Sequence, residues 1–121
     1  MKVHELRIGN KLEEGEVVAI SKTNFSINDG YSTWRSDMMV NDWGNPIPLT
    51  EETLLKCGFN RLGSIKNVHR KITDGKTMYL YKYGDDFDWQ FGDHHLCTLK
   101  HLHQLQNIYF ALTGEELNIQ L

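Results

Sequence analysis

The chain is poor in the residues that usually mark a chemistry. Its 121 residues include two cysteines, Cys57 and Cys97, too few for a disulfide framework. One sits at a helix end and the other in an apolar strand, so both read as reduced thiols of a reducing compartment. The two prolines fall together in Gly44-Asn45-Pro46-Ile47-Pro48, which excludes any longer proline-rich linker. Lys and Arg number 13 against 16 Asp and Glu, a net charge of −3. That balance disfavours nucleic acid as a partner, since affinity for the phosphate backbone comes largely from Lys and Arg. No apolar run approaches a bilayer span. The first ten residues, MKVHELRIGN, lack the hydrophobic segment of a signal peptide, so a cytoplasmic location without membrane contact is expected. The glycines are scattered as turn formers and build no phosphate loop. No serine occupies a nucleophile elbow. Asp86, Asp88, Gln90 and Gly92 lack the spacing and the closing glutamate of a calcium loop.

What is present suffices for one folded domain of 121 residues. A 40% hydrophobic and 24% charged composition can bury a core without metal or disulfides. Residues 1–43 are strand-rich: Leu6 and Ile8, then Val17, Val18 and Ile20, then Phe25 and Ile27, separated by Gly9-Asn10, Glu14-Gly15 and Asn28-Asp29-Gly30. Strands this short imply a small curled sheet or partial barrel. The pattern leaves the structure of 31–43 open. A proline connector at 44–49 leads to a helix over 50–57, capped by Thr50, with Glu51 and Glu52 at its positive end and Leu49 and Leu54 spaced as a hydrophobic staple. Gly58 stops it. An antiparallel meander follows over 59–99, with Asp74-Gly75 as a hairpin turn. If Gly84-Asp85-Asp86 is the next turn, Tyr79, Tyr81 and Tyr83 face Phe91, Trp89 and Phe87, and all these rings share one face. That wall reads as core rather than as a platform for bases. The expected fold class is α+β, with the meander covered by a C-terminal helix over 101–113.

The C-terminal helix has two arcs at 100° per residue. His101, Leu102, Leu105, Ile108, Tyr109 and Leu112 form the core-facing stripe, and Thr113-Gly114 ends the helix. The second arc carries His103, Gln106, Asn107 and Phe110. An exposed aromatic beside amide and imidazole groups makes this arc the candidate binding surface, for a protein partner or a small ligand. The bland alternative buries Phe110 and turns the polar groups to neighbouring loops.

A second candidate is Asp93-His94-His95-Leu96-Cys97 followed by His101 and His103. Zinc needs about four ligands converging at ~2.0–2.3 Å. On a strand, His95 and Cys97 share a face, and His101 joins them only if the strand turns directly into the helix. His101 and His103 lie about 200° apart on a helical wheel, so they are not expected to converge. The cluster matches no established zinc pattern, and apart from this zinc candidate no cofactor is expected. Cys57 ends a helix rather than beginning one, so the dipole should raise its thiol pKa.

Three segments, HELRIGN, PIPLTEETLLKCGF and HQLQNIYFALTGEEL, cover about a third of the chain. Together they resemble a widespread family of small uncharacterised proteins encoded by bacteria, their phages and integrated mobile elements. The resemblance implies a single cytoplasmic domain with this segment order and supplies no catalytic residues. The chain departs from the usual pattern at Thr53 and Cys57, where an aromatic is common, and between Gly30 and Gly44, which is expanded. The expected function is that of a non-enzymatic binding module of phage or mobile-element type, acting on a protein or small ligand. Modulation of a host protein such as a defence enzyme is one form that the genomic setting of the family suggests by analogy. Self-association is left open. The competing expectation is a small metal-dependent enzyme using His95, Cys97 and His101.

Overall fold

The structure is a computed structural model and describes residues 6–21, 24–35, 45–62, 65–73, 76–82, 89–91 and 97–120. The class is α+β, as expected. Two compact units are distinguished, Met1–Ile47 with His101–Glu116, and Pro48–Lys100 with Leu117–Leu121.

The first unit is built on a four-stranded antiparallel sheet in chain order: β1 (Lys11–Leu12), β2 (Gly15–Ile20), β3 (Phe25–Asn28) and β4 (Thr33–Arg35). The open stretch 31–43 thus begins with a strand, and 36–44 lie outside the described residues. Strand alternation sets the inner face. Leu12, Val17, Phe25 and Ile27 are buried and form one cluster with Leu6, while Val18 and Ile20 look outward past a bulge between Val17 and Ala19. Burying each large apolar side chain contributes about 1.5–3 kcal/mol. Asp29 Oδ1 closes the β3–β4 turn by accepting from the Tyr31 and Ser32 amides, both at 2.8 Å. The proline connector is annexed to the first strand. Leu12 bridges Pro46, and the Glu14 carboxylate accepts from the Asn45 amide at 2.8 Å.

The helix α2 (Leu102–Thr113) belongs to this unit and contacts β1. His101 is its extended N-cap, and Gly114, at φ 74°, closes it with an amide bonded to the Phe110 carbonyl. The buried arc is rotated from the expected stripe: Leu102, Leu105 and Tyr109 are inside, but so are His103 and Gln106. Leu112 is exposed and Ile108 half-buried.

In the second unit, α1 (Glu51–Lys56) starts as expected, with Thr50 Oγ1 accepting from the Thr53 amide at 3.2 Å. Leu49 and Leu54 are both buried. The meander follows in sequence order, β5 (Asn60–Leu62), β6 (Ile65–Thr73), β7 (Lys76–Tyr81), β8 (Trp89–Phe91) and β9 (Cys97–Leu99). Thr73 pairs with Lys76, and Asp74-Gly75 between them, the expected turn, lie outside the described residues.

The aromatic wall is not formed as expected. Leu80 pairs with Phe91 and Tyr81 with Gln90, one residue away from the register that would oppose Tyr81 and Trp89. A one-residue slip sends a strand's whole side-chain set to the other face. Met78, Leu80, Trp89 and Phe91 are therefore buried, whereas Tyr79 and Tyr81 are only half-buried. Tyr83 and Phe87 lie outside the described residues.

Candidate functional site

Helix α2 presents its polar arc to the Gly9-Asn10-Lys11 turn. Gln106, 1% exposed, accepts from the Lys11 amide at 2.7 Å and donates through Nε2 to the Gly9 carbonyl at 3.1 Å. Asn107 Oδ1 accepts from Asn10 Nδ2 at 2.8 Å and from Arg7 Nε at 3.2 Å. Gln106 therefore does backbone work, satisfying turn groups that strand pairing leaves over, while Asn107 holds two side chains. His103 is buried as well.

Of the four expected binding residues, Phe110 alone faces outward, at 39% exposure. It has a mount that sequence reasoning missed. The Arg7 guanidinium lies over its ring, 4.4 Å from the centroid. Arg7 is itself fixed by Asn107, by the Gln106 carbonyl and by a two-pronged ion pair with Glu116. Ile8, next in the chain, is exposed too. Arg7 and Glu116 stand 109 positions apart, so no local pattern connects them.

Most of the expected metal trio falls outside the described residues. His95 lies outside them, and of Cys97 only the backbone is placed, opposite Phe91 in β9. Among the described residues no three His, Cys, Asp or Glu side chains come together as a metal site. The helical-wheel argument that separated His101 from His103 does not hold, because their rings stack at 5.8 Å with an 8° tilt. The reason is the N-cap: His101 has extended backbone at φ −132°, ψ 154°, so helical spacing does not apply to it.

In the second unit, the Glu51 carboxylate at the start of α1 pairs with Arg61 of β5 and lies 3.5 Å from His69 Nε2 of β6. Arg61 holds the Glu51 carboxyl below its ordinary value. Trp89 Nε1 donates to the Leu49 carbonyl at 3.1 Å, and Lys71 Nζ to the Cys57 carbonyl at 2.8 Å. Cys57 is fully buried, and its thiol is pushed up to about 11 by that burial, against a smaller opposing pull from Lys71. The direction agrees with the expectation, but burial is the cause rather than the helix dipole. At pH 8 roughly a thousandth of such a thiol is ionised. In a Cys97→Ser background, Cys57 is expected to resist an aromatic disulfide reagent until urea unfolds the chain. Reaction of the native protein at the rate of a free peptide thiol would contradict this burial.

Elsewhere, an open recess of about 260 Å³ at the β2–β3 hairpin is lined, among the described residues, by Ala19, Ile20, Ser21, Asn24, Phe25 and Ser26, none of them titratable. Among the described residues no helix is long and apolar enough to cross a membrane. Comparison with known protein families, curated proteins and solved structures finds no match.

Proposed function

We propose that the chain is a non-enzymatic binding module of phage or mobile-element type, and that its contact surface centres on Phe110. One observation carries the reading: Phe110 is exposed, yet its ring is held by an arginine whose other donors are already engaged. A fixed aromatic loses little conformational freedom on binding, and aromatic anchors supply a large share of interface energy. Gln106 and Asn107 serve this surface from behind, by fixing the turn that follows Arg7 and Arg7 itself, and His103 packs inside. The partner class favoured is a bacterial host protein, following the family resemblance. The proposal includes a cytoplasmic setting.

The test is capture of a partner from bacterial lysate with wild-type protein, followed by affinity measurement on that purified partner. Phe110→Ala is expected to weaken binding about thirty-fold, near 2 kcal/mol, while the urea midpoint moves little. Equal affinity for Phe110→Ala and Phe110→Asp would remove this surface from the function. A partner bound only by self-association would appear as a concentration-dependent mass of the wild type that Phe110→Asp abolishes.

A further inference from the structure

The second unit holds a group that the binding reading does not use. His69 is fully buried, and among the described residues neither of its ring nitrogens has a hydrogen-bond partner. Buried imidazole nitrogens without partners are uncommon and call for a physical reason. Glu51 Oε1 is near Nε2 but at 3.5 Å, too far for a good hydrogen bond. Trp89 meets the ring edge-on, with centroids 5.1 Å apart at 86°. Leu80 is the cross-strand neighbour on β7 and Arg61 that on β5.

The charged groups around it are few among the described residues. Glu51 faces it from α1 and Arg61 from β5, and these two pair with each other. Lys71, two residues along β6, is taken up by the Cys57 carbonyl. Lys82 lies over the Trp89 ring at 5.5 Å. The Cys57 thiol is neutral near pH 7, its pKa standing at about 11.

We propose that His69 and Glu51 form a proton-operated contact between β6 and α1. With the imidazole neutral, the ring packs as an apolar group against Trp89, and Glu51 belongs to Arg61. Once protonated, the imidazolium competes with Arg61 for the single carboxylate. It also places a buried positive charge beside the half-exposed guanidinium, a poorly compensated arrangement. Mild acid therefore loosens the hold on the first turn of α1.

The direction of titration agrees. Burial pushes His69 below its ordinary 6.5, with Glu51 pulling the other way and Arg61 adding to the depression. Below pH 6.5 the unfolded chain takes the proton more readily than the folded one. The contribution is thus fully present above that pH and is lost as pH falls toward the folded value.

Proton–nitrogen NMR of the full chain tests this. His69 is expected to titrate below 6.5, with its neutral-state proton on Nε2, and to titrate lower still in Glu51→Gln. The α1 amides should lose exchange protection between pH 7 and 5, after correction for intrinsic rates. In His69→Phe the acid slope of the urea midpoint should flatten over the same window. Titration at or above 6.5, or unchanged α1 protection in acid, would overturn the proposal. Should His69→Phe not fold, the wild-type and Glu51→Gln titrations decide it alone.

Discussion

Gly15→Ala is expected to lower the stability of the protein by about 3–5 kcal/mol, read as a large fall in urea midpoint without change of slope. Gly15 opens β2 at φ 148°, a backbone conformation that L side chains rarely adopt. A Cβ there would drive into the Asn28 carbonyl oxygen and stand 2.9 Å from both the Asn28 carbonyl carbon and Ile27 Cγ2. These obstacles are backbone and a buried isoleucine in the neighbouring strand, and neither can swing away. Relief would require β2 and β3 to part where Glu16 pairs with Asn28. Gly114→Ala is the control: its φ is also positive, at 74°, but a Cβ would meet nothing within 4 Å. That substitution should cost only about 1 kcal/mol of backbone strain. Equal effects at the two positions would mean that conformation alone, and not the approach of β3, governs Gly15.

Gln106→Met is expected to cost about 2–4 kcal/mol although the volume of the side chain is nearly kept. The substitution removes the acceptor of the Lys11 amide and the donor to the Gly9 carbonyl together. Each buried polar group left without a partner costs about 1–3 kcal/mol, well above the net value of an ordinary exchange with water. Hydrogen exchange localises the effect: the Lys11 amide should lose protection first. A change under 0.5 kcal/mol would show that water replaces the amide at no loss, and that the turn is not held by α2.

The features legible in the sequence are those set by near neighbours. Thr50 before Glu51-Glu52 and Gly114 after Thr113 each fix a local backbone choice, and each lies where expected; the strands on either side of Asp74-Gly75 pair up to Thr73 and Lys76. The β7–β8 register was not legible, because β7 carries two alternating sets, Met78 with Leu80 and Tyr79 with Tyr81. Period-2 reasoning cannot say which set is inside, and the larger rings suggested the wrong answer. Likewise the helical wheel assigns amides to solvent, since it cannot see that Gln106 bonds to groups 95 and 97 positions away. Phe110 was legible as a candidate, but Arg7 over its ring was not, the two being far apart in the chain. His69 carried no sequence signal at all. Its isolation comes from being opposite Leu80 in a register that only pairing defines.

The order in which the chain is made has a consequence for the first unit. Its strands leave the ribosome long before residues 101–116, which complete it. Until α2 arrives, the Gly9 carbonyl and the Lys11 amide lack Gln106, and Leu12, Val17 and Ile27 rely on their cluster with Leu6 and Phe25. The N-terminal sheet is therefore completed only after the meander has paired its own neighbouring strands through short-range contacts. Nascent chains stalled with residues up to 100 clear of the ribosome should hold a meander more resistant to protease than the N-terminal sheet.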